Sequence, residues 1–194
     1  MYLSKRYQSA ATLATLATPY NDQKRPNMYL RLTQERDLAA IDHIFALGRE
    51  RQHSEGNYSQ WHEGYPTLAV VREDIKNGTG WVCVADDDTT VLGTLALSDH
   101  EEVYDHLQSG AWRSEQPYKV IHRMGTLPHH GAGIFMLQEL QARYPYLRVD
   151  TFAANKSMLS LLHKAGFVHC GVAYYEGYGE MQAFDYLRSE SSSN

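Results

Sequence analysis

The stretch of sequence that decides the fold runs from Ile121 to Met136 and reads IHRMGTLPHHGAGIFM. Its first half is typical of a strand that Pro128 ends, and its second half has the spacing of an amphipathic helix. Gly131 and Gly133 therefore stand where a strand turns into a helix. A helix N-terminus presents free N–H groups and the positive end of the helix dipole, and glycines leave both uncovered. The stretch favours a phosphate or pyrophosphate site, although tight turns also require glycine.

A second informative stretch follows, from Leu147 to Gly171, and reads LRVDTFAANKSMLSLLHKAGFVHCG. It predicts a strand, then a helix that opens at Asn155 and ends at Gly166, with Phe167 folding back on the helix. Asn155 has two interpretations. It is either a simple N-cap or an amide that binds an extended ligand between neighbouring strands.

The remaining segments predict the order β-α-α-β-β-β-α-β-α-β-β between Met28 and Leu187. Asp37 and Thr67 are expected to cap the first two helices. A short helix is expected near Val103–Leu107, inside a long irregular connection. Three consecutive strands followed by two βα units predict one mixed sheet with helices on both faces.

The composition is that of a globular domain, with 43% hydrophobic and 21% charged residues among 194. The net charge is −5, of which residues 1–27 contribute +3, so the rest carries −8. An acidic domain is a poor nucleic-acid binder and suits cationic acceptors better. The apolar runs are too short to span a bilayer, so no membrane association is expected.

The termini differ from the domain between them. Residues 1–27 are rich in Thr, Ala and Ser, without convincing periodicity and without the strong apolar stretch of a secretory signal. We expect a flexible leader, or a start codon placed too early with Met28 as the true start, and a polar tail over residues 188–194. Cys83 and Cys170 are interpreted as small buried hydrophobic residues in a reducing compartment rather than as a disulfide. A cytoplasmic location follows.

Several motifs together carry a resemblance to a known family. They are Trp61-x-x-Gly64-Tyr65-Pro66, Asp74-Ile75-x-x-Gly78, Tyr118-x-x-x-His122-Arg123, and the series Asp150-Thr151, Asn155, Met158, Leu161, Lys164, Gly166, Phe167 and Cys170-Gly171. In this register, from about Met28 to Leu187, they resemble a bacterial branch of the GCN5-related N-acetyltransferase (GNAT) superfamily. The resemblance implies an α/β (α+β) fold with a mixed, mostly antiparallel sheet of about six to seven strands flanked by four helices.

The resemblance also implies an acetyl-CoA site. The backbone of the phosphate loop would hold the pyrophosphate, the strand end would pair with the pantetheine arm and point an N–H near Leu127 at the thioester carbonyl, and Asn155 would meet the pantetheine. The implied coenzyme-binding residues are Gly125, Thr126, Leu127, His130, Gly131, Ala132, Gly133, Ile134 and Asn155. Two residues depart from the family pattern: His130 replaces Arg or Gln, and Phe135 replaces a small residue. The loop is also about one residue shorter than usual.

The implied reaction is direct attack of an amine on the acetyl thioester, which needs a general base. His122, Glu101 and Glu102 are the candidate bases, but His122 also fits a partly buried histidine bonded to a carbonyl, and the glutamates fit a solvated loop. The family's acid, a tyrosine, is replaced by Leu162. Residues expected to line the acceptor site, or else to pack ordinarily, are Trp61, Tyr65, Tyr104 and Trp112.

The expected function is therefore that of an acetyl-CoA-dependent N-acetyltransferase acting on a primary amine of a small molecule, amino acid or peptide. The alternative is a GNAT-fold module that binds coenzyme A or another ligand without turnover, which the missing tyrosine favours. No metal site is expected, because His129 and His130 lack a third ligand at suitable spacing. Homodimerisation through a sheet edge is left open.

Overall fold

A computed structural model describes residues 27–62 and 64–189. The expected leader, apart from Asn27, and residues 190–194 of the expected tail lie outside the described residues. The strands are β1 Met28–Leu32, β2 Gly80–Ala85, β3 Val91–Ser98, β4 Ser109–Gly110, β5 Lys119–Thr126, β6 Tyr146–Thr151, β7 Val168–Tyr175 and β8 Gly179–Leu187. The helices are α1 Leu38–Ser54, α2 Leu68–Asn77, α3 Ala132–Arg143 and α4 Lys156–Lys164. Short 3-10 turns occupy Glu35–Asp37 and Glu102–Tyr104.

The strands form one eight-stranded sheet in the order β1-β2-β3-β5-β6-β8-β7-β4. Every neighbouring pair is antiparallel except β5 and β6, which are parallel. The mixed, mostly antiparallel sheet with four helices is confirmed. The expected count of strands was too low because the two-residue strand β4 lies inside the connection predicted to be irregular.

The two faces of the sheet follow from the alternation of side chains along each strand. In β2, Val82 and Val84 belong to the core beneath α1 and α2. Cys83 and Ala85, between and after them, belong to the core beneath α3 and α4. A third, smaller cluster surrounds the buried Tyr104. The sheet is therefore covered by one pair of helices on each face.

Most helix ends follow the sequence signals. Thr67 accepts a hydrogen bond from the N–H of Val70 at 3.4 Å and caps α2, and Gly78 ends that helix in the left-handed conformation. The prediction for Asp37 was wrong, because its side chain makes no capping bond to α1. Its carboxylate instead accepts from the N–H of Gln34 at 2.8 Å and pairs with Arg31 at 2.7 Å, closing the turn before the helix.

The pairing of β4 with β7 requires a glycine in each of the two strands. Gly110 and Gly171 both have positive φ, 81° and 152°. A Cβ added to Gly110 would lie 2.0 Å from the Cys170 carbonyl oxygen, and one added to Gly171 would lie 2.0 Å from that of Ser109. The backbones of β4 and β7 therefore approach more closely than side chains allow.

Both cysteines are free thiols; Cys83 is fully buried and Cys170 partly so. Burial raises the pKa of the Cys83 thiol to about 12 and that of Cys170 to about 11, so neither is a reactive thiolate at neutral pH. Within residues 27–62 and 64–189, no helix combines the length and the apolar character that a membrane crossing requires.

Candidate active site

The site begins where β5 and β6 part. Their parallel pairing covers only Lys119–Ile121 against Leu147–Val149, although β5 runs on to Thr126 and β6 to Thr151. A bulge accompanies the separation: two residues of β5, Arg123 and Met124, lie opposite one residue of β3. Arg123 has a positive φ of 50°, and this turn bends the outer half of β5 away from β6. The result is a gap in the sheet.

The gap is the floor of a cavity of about 870 Å³, a size suited to a small molecule or cofactor. Its walls are the outer ends of β5 and β6, the N-terminal ends of α3 and α4, and the C-terminal half of α1. Eight of the nine predicted coenzyme-binding residues line it, namely Gly125, Thr126, Leu127, Gly131, Ala132, Gly133, Ile134 and Asn155. The structure thus brings together residues up to 30 positions apart in the sequence.

The N-terminus of α3 forms one end of this cavity. The first helical hydrogen bond runs from Phe135 N–H to Gly131 at 3.2 Å, which leaves the preceding N–H groups without a helical partner. Gly131 has a φ of 72°, a conformation that favours glycine. At Gly133 an added Cβ would lie 3.1 Å from the Leu161 side chain, so a larger residue would narrow the cavity. The geometry suits a phosphate group.

His130 is exposed and is not among the cavity-lining residues. The adjacent His129, which has a φ of 67°, lines the cavity in its place. The family resemblance aligns His130 with the family's Arg or Gln, whereas the structure brings the neighbouring His129 to the cavity.

The strand end shows which backbone groups are free. The N–H of Leu127 donates to the carbonyl of Leu92 at 2.9 Å, so it is not available to a thioester. Because backbone groups alternate in direction along a strand, the N–H of Thr126 points to the opposite side, toward the gap. Within the strand end Gly125–Leu127, where a donor near Leu127 is expected, the N–H that faces the gap is therefore that of Thr126.

Asn155 acts as a helix cap. Its side-chain oxygen accepts from the N–H of Met158 at 3.1 Å, and its side-chain nitrogen donates to Gln60 Oε1 at 2.9 Å. The same Gln60 oxygen accepts from Asn57 at 3.0 Å and from Thr151 at 3.2 Å. The capping interpretation is confirmed, and Gln60 ties the loop after α1 to the start of α4.

Glu55 was missed by the sequence analysis because it follows the end of α1 and no local pattern marks it. Its carboxylate accepts from the N–H of Ser157 at 3.0 Å and from the hydroxyl of the same residue. A negative charge beside the first turn of α4 complements the helix dipole. Glu55 thereby fixes the position of α4 along the cavity wall.

The candidate bases lie next to the cavity. His122 Nε2 is 3.0 Å from Ser98 Oγ and 3.5 Å from a carboxylate oxygen of Glu101. Burial and the adjacent Arg123 lower the pKa of His122 to about 4, so the imidazole is neutral at pH 7 and the contact with Glu101 is not an ion pair. Burial raises the pKa of Glu101. Neither residue is among those that line the cavity.

The predicted acceptor residues separate into two groups. Trp61 lines the cavity and packs edge-on against Phe45, with ring centroids 5.4 Å apart. Tyr65 packs against the core beneath α1 and α2. Tyr104 and Trp112 stack on each other at 4.9 Å in the third cluster, outside the cavity-lining set.

Leu162, where the family has its tyrosine, is fully buried in the core beneath α3 and α4. Leu161 and Met158 line the cavity instead. A leaving thiolate would meet no acidic side chain from this turn of α4.

Asp150 is the residue that the sequence analysis quoted only as part of a motif. It lines the cavity at the end of β6, one residue beyond the last parallel pair. The hydroxyl of Tyr175 donates to its carboxylate at 2.6 Å. The pKa of Asp150 is raised to about 6, chiefly by burial and also by the nearby charge of Glu101, against the lowering effect of Tyr175 and Tyr104.

No group of three or more His, Cys, Asp or Glu side chains that could hold a metal ion occurs in the part of the chain that the structure describes. The arrangement instead offers backbone donors for an anion, a narrow gap between strands, and two carboxylates beside the gap.

Solved structures of other proteins share this architecture. A GNAT-family acetyltransferase from Streptococcus agalactiae is 28% identical with a TM-score of 0.76, over 84% of this chain and 96% of that one. yncA of Salmonella typhimurium, solved with its cofactor acetyl-CoA, is 15% identical with a TM-score of 0.51, over 86% and 96%. The spermidine N-acetyltransferase from Vibrio cholerae, in complex with CoA and spermine, is 15% identical with a TM-score of 0.53, over 83% and 95%. No protein-family model matches the sequence, and no curated protein is similar enough to match it.

Proposed function

Since the chain belongs to the GCN5-related N-acetyltransferase superfamily, we propose that it transfers the acetyl group of acetyl-CoA to a primary amine of a small molecule, amino acid or peptide. One observation carries the proposal: the gap between β5 and β6 opens directly onto the N-terminus of α3. A long ligand with a pyrophosphate near one end and a reactive acyl group at the other fits that arrangement.

Each part of the chain has a role in this proposal. The N–H groups at the start of α3 hold the pyrophosphate, with Gly131 and Gly133 leaving room for it. The free backbone of β5 pairs with the pantetheine arm, and the N–H of Thr126 lies on the side of the thioester carbonyl. A backbone donor in this position stabilises the oxyanion that forms when the amine attacks. Holding amine and thioester together supplies much of the acceleration.

The carboxylates beside the gap favour a cationic acceptor. Glu101 and Asp150 lie near each other, while Arg123 is already paired with Asp74 at 2.6 Å. The Vibrio cholerae neighbour was solved with spermine, a polyamine. We infer that the acceptor presents a protonated amine to this end of the cavity.

The first test is calorimetric titration of the full chain with acetyl-CoA, comparing the wild type with Gly133→Asp. A carboxylate at this position repels the pyrophosphate and narrows the cavity, so we expect a loss of affinity of about 100-fold. Gln138→Asp is the matched control because it adds the same charge on the exposed side of the same helix. Its affinity should stay within about threefold of the wild type.

Absence of acetyl-CoA binding by the wild type, or equal loss in both variants, would contradict the proposed phosphate site. Release of free thiol from acetyl-CoA in the presence of an amine separates an enzyme from a module that binds the coenzyme without turnover. The amines to test are spermine, ribostamycin and the free amino acids. Ribostamycin is bound together with coenzyme A in the solved structure of AAC(6')-Ib, which is 17% identical to this chain with a TM-score of 0.59.

A further inference from the structure

We propose that Asp150 is the general base of the acetyl transfer, held in place by Tyr175. This inference rests on the proposed function and adds to it the group that takes the proton from the acceptor amine. Asp150 is a half-buried residue that lines the cavity at the point where β5 and β6 separate.

The position of Asp150 follows from the sheet. Val149, the residue before it, makes the last parallel pair with Ile121 of β5. Asp150 is therefore the first residue of β6 beyond the parallel pairs with β5, next to the gap. Its strand remains anchored on the other side, where Asp150 pairs with Ala183 of β8. The carboxylate is thus fixed by a rigid strand rather than by a loop.

Two tyrosines surround this carboxylate. The hydroxyl of Tyr175, on β7, donates a hydrogen bond to Asp150 Oδ2 at 2.6 Å. The Tyr104 hydroxyl is completely buried and makes no hydrogen bond to any residue that the structure describes, yet it lies close enough for the Asp150 charge to raise the pKa of Tyr104. Both tyrosines remain protonated at neutral pH. Tyr175 holds the carboxylate by its hydrogen bond, Tyr104 lies close to it, and lone pairs of the carboxylate remain for an amine.

The other charged residues of the cavity wall are paired or lie away from the strand gap. Glu55 caps α4 through Ser157, and Arg123 is paired with Asp74. Glu50 and Arg51 line the cavity from the exposed side of α1. Asp150 is the carboxylate that lies on the strands bordering the gap.

The candidate bases from the sequence fit less well. His122 is bonded to Ser98, stands outside the cavity-lining set, and has a pKa too low for an efficient base at neutral pH. Glu101 lies 3.5 Å from His122 and is close enough to Asp150 to act on its pKa. Its negative charge raises the proton affinity of Asp150 and attracts a cationic acceptor. The titratable groups that act on Asp150 are therefore Tyr175, Tyr104 and Glu101.

The acceptor nitrogen loses two protons in the course of the reaction. The carboxylate of Asp150 takes one proton from the acceptor ammonium, and the freed nitrogen lone pair forms a C–N bond with the thioester carbon. The C–S bond then breaks, and its electron pair leaves on the coenzyme A sulfur. The nitrogen loses its second proton, which protonates the thiolate. Asp150 releases its own proton to solvent, so the products are an amide, free coenzyme A and one proton.

The test uses the full chain with Asp150→Asn and an amine that the wild type acetylates from the panel of ribostamycin, spermine and free amino acids. We expect kcat to fall by roughly 100-fold or more, because general-base catalysis contributes at least that factor. The affinity for acetyl-CoA should stay within about threefold, since Asp150 lies away from the phosphate end. Asp105→Asn, which removes an exposed carboxylate from the loop after β3, is the matched control and should keep wild-type kcat.

Tyr175→Phe provides a second test, in which the direction of a shift in the kcat–pH profile is predicted. The hydrogen bond from Tyr175 lowers the pKa of Asp150, so its removal raises that pKa and moves the acidic limb of the kcat–pH profile to higher pH. A residue with a purely structural role would lower activity without moving the limb. His122→Gln should leave the limb in place.

Three results bear on the inference. Turnover by the wild type with kcat of Asp150→Asn within about threefold overturns it while the proposed function stands. An acidic limb that moves in His122→Gln and not in Tyr175→Phe overturns it as well, in favour of the histidine. No acetylation of any amine in the panel by wild-type protein that binds acetyl-CoA contradicts the proposed function and this inference together.

Discussion

At the scale of the residue, Asp150 shows how a functional group acts against stability. Its pKa is about 6 in the folded protein and 3.8 in an unfolded chain, chiefly because burial disfavours the charged form. The unfolded chain therefore binds fewer protons than the folded one between these values, and the free energy of unfolding decreases as pH rises through that window. Above it, the ionised carboxylate costs about 3 kcal/mol.

Asp150→Asn should remove this cost. We expect the variant to exceed the wild type in free energy of unfolding by up to about 3 kcal/mol at pH 7, and the difference to vanish near pH 4. Urea unfolding followed by circular dichroism across pH 4 to 7 measures it. Equal stability of the two proteins at every pH would show that Asp150 has an ordinary pKa.

At the scale of the element, α4 depends on two side chains outside its own turn. Asn155 caps it by the local signal that the sequence predicts, whereas Glu55 reaches it from the end of α1. The second contact joins residues 102 positions apart, and no local pattern reveals it. The helix is thereby fixed at the cavity edge by a charge as well as by apolar packing.

Glu55→Gln should weaken this connection by about 1 kcal/mol, because the neutral amide loses its interaction with the dipole of α4. The midpoint of urea unfolding measures the change. Glu50→Gln is the matched control, since it removes an exposed charge from α1 and should change stability by less than about 0.5 kcal/mol. Equal effects of the two substitutions would reduce the role of Glu55 to general surface charge.

At the scale of the whole molecule, the two parts of the sheet meet along a parallel seam of only three residue pairs. A ligand that pairs with the free edge of β5 extends that seam. Saturating acetyl-CoA should therefore slow hydrogen exchange at the Thr126 amide, by up to about 100-fold at about 100 times its Kd. The Leu127 amide, already bonded to Leu92, should slow much less.

Mass spectrometry of amide hydrogen exchange, with fragmentation that separates these two residues, makes the measurement. Gly133→Asp, measured at the same acetyl-CoA concentration, should show no slowing at Thr126. Uniform slowing along β5 would indicate general stabilisation rather than pairing in the gap.

The order of elements and the glycine turn before α3 could be predicted from the sequence because periodicity and glycine position are local signals. Gly131, Thr67 and Gly166 act through their own backbone conformation or their nearest turn, and the structure agrees with each. Strand β4 was missed because two residues carry no periodic pattern. Its pairing depends on Gly171, which lies about 60 positions away along the chain.

The proposed acid–base residue, Asp150, could not be predicted from local sequence signals. The environment of Asp150 is assembled from β6, β7 and the turn at Tyr104, and burial rather than spacing sets its pKa. Likewise, Tyr104 and Trp112 were expected to line the acceptor site, but they stack on each other outside the cavity-lining residues, and the Trp112 ring also contacts the buried Arg148. Aromatic residues in a loop do not reveal which side of the sheet they will cover.

The contact between Gly110 and Gly171 also governs how copies of the molecule behave toward one another. Without β4, strand β7 would be the open edge of the sheet, with a row of unpaired backbone groups and the exposed side chains of Val168 and Tyr174. Such an edge is a template for adding strands from other chains. Two residues of β4 cover part of it, and their fit depends on the absence of any side chain at either glycine. The pair therefore shortens the edge that is open to other chains, a contribution unrelated to catalysis.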